Sequence, residues 1–390
     1  MIPRVLWIIN PPIKSSCIRK AASVGESSNQ VECDESKPRC KKCCSFGVLC
    51  NFGLNIPDLH PITPDALRAV VRCKPSPQRP VASAIWTSDE YTIYQLNAKC
   101  QDFVTKYYAR SLLTPDDGNM IDVNRRLFKL AFTNPCLMHA SLAVALTYDR
   151  YLNTSSSSSR SLEECYHWSQ STALFNKKLR EPVKTHDKDP IWGTAAALAV
   201  LTFSLPDAYR PEDSWPLKTG HDDLDWVSMI SGKMSLWNMV DPLRNDSLFR
   251  VMAVTIAQMQ APLPEIGIEG ISEEVAAVCR LNETSTPENP YFYAAHAVSR
   301  ILYLPDSQVT TGQTQLFTHR IGGPFKDLLL GRDPVALLLL YIWYRKAGRS
   351  IWWVELRARV ECPAISMYLQ RHHADDVAVH ALLQSDITIG

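Results

Sequence analysis

Five cysteines fall within the eighteen residues CDESKPRCKKCCSFGVLC, from Cys33 to Cys50. Four of them, Cys33, Cys40, Cys43 and Cys50, follow the spacing C-x6-C-x2-C-x6-C. The C-x2-C pair can turn two thiolates onto one ion while the outer two close the shell, as in a structural zinc site. The segment carries few apolar residues, so metal binding would have to supply the folding free energy that a core cannot. The competing reading is a set of free thiols on a solvated arm. Cys44 falls outside the spacing, as a spare thiol or a substitute ligand.

The basic residues among these cysteines, Lys37, Arg39, Lys41 and Lys42, are suited to phosphate contacts on a DNA backbone. Such contacts position a protein without specifying sequence, and alone they give weak, salt-sensitive binding. The plainer reading is an ordinary solvated loop. KPRCKK also matches a nuclear import patch, a low-specificity signal, and the expected location is the nucleus. Enzyme chemistry finds little footing. Gly-rich phosphate loops, the G-x-S-x-G elbow and H-E-x-x-H are all missing from the sequence, so no catalytic residue is assigned and the chain is read as a non-enzyme. His372-His373 followed by Asp375-Asp376 resembles a metal or acid-base cluster, but adjacent helical side chains point in different directions, which favours a solvated helix end. Trp352-Trp353 and Tyr107-Tyr108 read as core in preference to a ligand pocket, leaving the ligand-binding residues unknown.

The cysteine segment resembles the second two-thirds of a fungal Zn2Cys6 binuclear cluster, the DNA-binding module of a family of transcription factors. In that family six cysteines hold two zinc ions, with two thiolates bridging both metals. The resemblance makes Cys33, Cys40, Cys43 and Cys50 the third to sixth ligands, and Asp34, Glu35 and Pro38 match the usual acidic pair and loop proline. The same pattern places the first two ligands near positions 23 and 26, where this chain has Ser23 and Glu26. Where the family carries its basic major-groove helix, this chain has SSNQVE. Cys17 lies too far upstream for the usual spacing and replaces at most one ligand. Two explanations compete. In one, the native chain has an intact cluster and residues up to about Val31 stem from a wrong start or an unspliced intron. In the other, the module is truncated, and its four thiolates hold a single zinc or none.

The elements that must position this chemistry divide the chain into four parts. Residues 1–31 form an atypical, disordered N-terminal segment, and 32–53 carry the partial cluster. Prolines at 57, 61, 64, 75, 77 and 80 make 54–85 an extended linker without a heptad run. From about Trp86 to residue 390 the pattern turns helical. Leu96, Cys100, Phe103 and Tyr107 recur at three and four residues, and Asn134-Pro135 opens a segment, CLMHASLAVALTYDRYL, that is apolar nearly all round and therefore central. Ser161 and Glu164 are spaced as a capping box, Asp189-Pro190 starts another helix, and Leu224, Val227, Ile230, Met234 and Trp237 form a further stripe. ALLLLYIWYRKAG and WWVELRARVECPAISMYLQRHH read as a last long pair. Strict apolar alternation is scarce, which makes the fold all-α with ten or more helices.

The stretches WPLKTGHDDLDWVSMISGKMSLWNMVDPLRNDSLFRVM and WWVELRARVECPAISMYLQRHH are similar to the C-terminal regulatory domain of Zn2Cys6 factors of the sterol uptake control type. The resemblance implies a helical domain that senses a state or an apolar ligand such as a sterol and recruits transcription machinery.

Composition sets the outer bounds. With 390 residues, 46% of them hydrophobic, the chain can bury a large core as one large or two moderate domains. A net charge of +1 means that attraction to nucleic acid must come from a local patch. MIPRVLWIIN is cut off by Pro11-Pro12 and is read as non-secretory, and VALLLLYIW is about half a bilayer span, so it reads as a buried helix. Outside the cluster the cysteines are scattered singly, which fits a reduced intracellular chain and makes the sequons at Asn153, Asn245 and Asn282 chance matches.

Overall fold

The computed structural model describes residues 86–89, 92–95, 118–153, 160–204, 210–218 and 224–384. The fold is all-α apart from one hairpin. Strands β1 (Trp86–Asp89) and β2 (Thr92–Gln95) pair antiparallel, with Trp86 opposite Gln95. The sequence reading began its helical region here. The local sequence WTSD and TIYQ, rich in aromatic and β-branched residues, favours the extended form instead. The stripe from Leu96 to Tyr107 lies outside the described residues. Fourteen α-helices follow among the described residues, and contacts group them into two compact units.

The first unit takes in residues 121–149 and 160–198. Its helices are α1 (Gly118–Ala131), α2 (Pro135–Asn153), α3 (Leu162–Lys178) and the first part of α4 (Lys188–Ser204). Every residue of α2 from Cys136 to Thr147 is buried, as its uniform apolarity requires. Helices α3 and α4 flank it. Ser171 of α3 donates its hydroxyl to the Cys136 carbonyl at 2.9 Å, and the Thr194 hydroxyl of α4 lies 3.7 Å from the Cys136 sulfur. Ser161 caps α3 by accepting the Glu164 amide at 3.0 Å. The Glu164 carboxylate turns inward to accept from Thr147 at 2.8 Å, so burial against α2 wins over the local capping box. Asn134, just ahead of α2, sends its side-chain amide back to the Leu130 carbonyl at 2.7 Å.

The second unit contains residues 199–390 with a short piece of α2 from Arg150 onward. Its helices are α5 (Asp225–Ser235), α6 (Trp237–Val240), α7 (Ala253–Met259), α8 (Glu273–Val278), α9 (Phe292–Leu302), α10 (Thr311–Arg320), α11 (Pro324–Leu330), α12 (Pro334–Ala347), α13 (Trp352–His372) and α14 (Val377–Gln384). The expected stripe from Leu224 to Trp237 does not run through. The helix breaks at Leu236, and the buried side chains are Leu224, Trp226, Val227, Met229, Leu236 and Val240. Helices α12 and α13 are the long pair that the sequence anticipated, and α12 also packs on α9, α11 and α14. Asp333 caps α12 by accepting the Val335 and Ala336 amides at 3.0 and 2.9 Å, and Pro334 occupies the first turn, where its missing N–H costs nothing. At the crossing of α7 and α10 a glycine is required. A Cβ on Gly312 would stand 2.5 Å from the Thr255 carbonyl oxygen.

Phe203 is the centre of the second unit's core. Its ring meets those of Trp226, Trp353 and Trp343 edge-on at 4.8, 4.9 and 5.9 Å. Trp353 thus belongs to the core, as the sequence reading preferred. No helix among the described residues is long and apolar enough to cross a membrane.

Candidate functional site

An open groove of about 690 Å³ runs between α12 and α13, in the size range of small-molecule sites. It begins where α12 ends. Gly348 lets the two helices approach so closely that a Cβ there would lie 2.8 Å from the Tyr344 carbonyl and 3.3 Å from the Glu355 Cα. Tyr344, Ala358, Cys362 and Pro363 line the space. Pro363 lacks the N–H that would bond the Arg359 carbonyl within α13, which interrupts the helical ladder beside the groove.

Three guanidinium groups line the same space, and each has a fixed neighbour. Arg359 donates to Glu355 at 3.1 and 2.7 Å and covers the Tyr151 ring at 4.7 Å. Tyr151 in turn donates its hydroxyl to the second Glu355 oxygen. Arg349 pairs with Asp306 at 3.3 Å. Arg345 donates to the Tyr341 hydroxyl at 3.2 Å, one turn back on the same helix. Asp306 also holds the fully buried Lys346 at 2.9 Å. Burial works against the Asp306 carboxylate, but Lys346 and Arg349 outweigh it and hold its pKa below the usual value. The thiol of Cys362 is raised by burial and by the nearby Glu361, so it stays protonated and contributes no negative charge. Arginine side chains and an apolar floor thus share the groove.

Behind the groove lies a buried polar network. Arg357 donates to the Phe203 carbonyl at 2.5 Å and the Thr202 carbonyl at 3.2 Å, so it caps the last turn of α4, and it pairs with Glu361. Tyr344 donates to the other Glu361 oxygen at 2.7 Å. Burial first, and the adjacent carboxylate second, raise the Tyr344 hydroxyl well above its ordinary value. The phenol remains a donor at any physiological pH.

A second cluster sits in the first unit. His139 of α2 and His167 of α3 face each other with their Nδ1 atoms 2.8 Å apart, both buried. One ring must carry its proton on Nδ1 and the other must leave that nitrogen bare, so the neutral pair holds opposite tautomers. Burial lowers both pKa values, His167 to about 4.

The zinc ligands expected at Cys33, Cys40, Cys43 and Cys50, and the basic residues Lys37, Arg39, Lys41 and Lys42, lie outside the described residues, as does Tyr107-Tyr108. Among the described residues no group of three or more His, Cys, Asp or Glu side chains is arranged for a metal ion. His372 and His373 close α13 beside the Tyr368 ring, and Asp376 accepts the Val379 amide at 3.1 Å as the cap of α14. They form a helix terminus, as favoured above. The groove was not found from the sequence. Arg345 and Arg349, and Glu355 and Arg359, are spaced one turn apart, but the bond from Tyr151 to Glu355 spans 204 residues and leaves no local trace. Comparison of the chain with protein families, curated proteins and solved structures finds no match.

Proposed function

We propose that the chain is a nuclear transcription regulator of the fungal zinc-cluster kind, in which a thiolate-held N-terminal segment precedes a helical domain. The observation that carries this reading is the spacing of Cys33, Cys40, Cys43 and Cys50, supported by Asp34, Glu35 and Pro38 between them. Zinc is the fitting ion, since four thiolates at this spacing suit its tetrahedral shell. The helical domain after residue 86 would sense a state or ligand and recruit transcription machinery. A complete module would read a short G·C-rich element through Arg or Lys contacts in the major groove. With Ser23 and Glu26 at the first ligand positions, this chain holds one zinc ion and does not read a DNA sequence.

Metal analysis of the purified full chain tests this, with one zinc per chain expected and loss of it in Cys40→Ser and Cys43→Ser. A chain without zinc, whose metal content is unmoved by those substitutions, would sink the reading. A sequence-specific gel shift at physiological salt would overturn the DNA claim alone. Ser23, Glu26 and SSNQVE also favour a second reading, a regulatory protein that acts through its helical domain and another regulator without touching DNA. Recovery of a zinc-free chain in complex with a second regulator would select it.

A further inference from the structure

We propose that the basic end of the first unit, built from the last turn of α3, the loop after it and the start of α4, docks on the phosphate backbone of duplex nucleic acid without reading its sequence. The segment KKLREPVKTHDK, residues 177–188, holds five Lys and Arg residues against two carboxylates. Both carboxylates are engaged inside the segment. Asp187 is buried and takes Lys178 at 3.0 Å, His186 at 3.6 Å and the Lys184 backbone amide at 3.1 Å. Burial works against its charge, but Lys178 and that amide outweigh it and hold the carboxyl below its usual pKa. Glu181 reaches the same Lys178 at 3.6 Å. One lysine thus meets both acids and pins the loop to α3. Lys177, Arg180 and Lys184 are exposed and Lys188 is half-buried, and among the described residues no carboxylate pairs with any of the four. The helix dipole accounts for Lys177, which suits the C-terminal end of α3. It does not account for Lys184, which lies beyond that helix, or for Lys188, which opens α4 at the end where a cation is disfavoured.

The surface around these cations selects the partner. None of the large exposed apolar side chains falls between residues 177 and 188. The patch therefore has neither an anchor of the kind that holds a peptide at an interface nor one that enters a lipid surface. It holds no Phe, Tyr or Trp on which the bases of a single strand could stack. Long cationic side chains on a pinned loop gain most from a duplex, which carries one charge per roughly 1.7 Å of axis and releases counterions where a cation meets it. The chain as a whole has a net charge of +1, so such attraction is local to this end. The inference does not rest on the cysteine segment, whose Lys37, Arg39, Lys41 and Lys42 would add separate backbone contacts.

The test is fluorescence anisotropy of the full chain with a labelled duplex of mixed sequence at a series of salt concentrations. Binding that weakens as salt rises is expected. The variant Lys177→Gln/Arg180→Gln/Lys184→Gln/Lys188→Gln should lose about tenfold or more of the affinity and flatten the slope of log K against log salt by about 2 to 4. Arg250→Gln/Arg371→Gln, which removes two exposed cations of the second unit, should leave that slope unchanged. If the quadruple variant loses its helical circular dichroism signal, Thr185→Lys decides, because Thr185 is exposed in the same loop and the substitution adds a cation. It should steepen the slope by about 1. No duplex binding at low salt, an unchanged slope in the folded quadruple variant or in Thr185→Lys, or an equal loss in the second-unit variant would each overturn the proposal. Competition by phosphatidylserine vesicles or polyglutamate as effective as by unlabelled duplex would also overturn it, and would give the patch to a membrane or an acidic protein. Zinc content reports on the cysteines alone, so a failure here leaves the zinc reading standing.

Discussion

Arg357 and the histidine pair show how much depends on single side chains. Arg357 is buried, pairs with Glu361, and caps the carbonyls of Thr202 and Phe203. Arg357→Ala strands the Glu361 carboxylate in the core, and breaking a buried pair in this way typically costs about 3 to 5 kcal/mol. A denaturant midpoint should fall by that amount with an unchanged slope. The double variant Arg357→Met/Glu361→Leu should recover much of the loss, because an apolar pair leaves no uncompensated charge. At His139 and His167 the folded state stays neutral while the unfolded chain protonates near pH 6.5. The unfolded state thus binds more protons below that pH, and stability falls as the solution is acidified from 6.5 towards 4. For His167, a fall from 6.5 to about 4 corresponds to about 3 kcal/mol at the acid end. That value already includes the Glu163 charge, which acts the other way on His167. His167→Gln should flatten the acid limb of a stability profile measured by urea titration at several pH values.

At the scale of elements, α13 is a continuous helix that carries a proline in its interior. Pro363 is exposed on the groove side of a 21-residue helix, where a proline removes one hydrogen bond and crowds the Arg359 carbonyl. Pro363→Ala should restore the bond and raise the thermal midpoint, with a gain of about 1 to 3 kcal/mol set by helix propensity. An unchanged thermal midpoint in Pro363→Ala would show that the proline costs this helix nothing. The helix starts were largely legible. Pro135 and Pro334 mark first turns in sequence and in structure, because a fixed φ and a missing N–H are local properties. Glu164 was misread because its partner, Thr147, sits on another helix.

For the whole molecule, the expected zinc ligands all precede residue 54, and the described helices begin at residue 118. Removing zinc with a chelator should therefore leave the far-ultraviolet helical signal and the main thermal transition unchanged. A fall in that transition on chelation would show that metal and helical core fold as one. The division of the helices into two units was not read as a boundary, since between residues 198 and 199 it falls inside the apolar α4, where the sequence carries no break.

The sequence by itself determined the helical class, the central place of α2 and the pairing of α12 with α13. These follow from apolar periodicity and capping residues, which act within a few turns of chain. It also determined the cysteine spacing on which the zinc reading rests. Only the tertiary structure decided that Phe203 gathers three tryptophans, that His139 meets His167, and that Tyr151 and Asp306 hold the arginines of the groove. Each of those contacts joins residues far apart in sequence. Their identity is set by how helices pack, and no local pattern of residue types encodes which surfaces will meet.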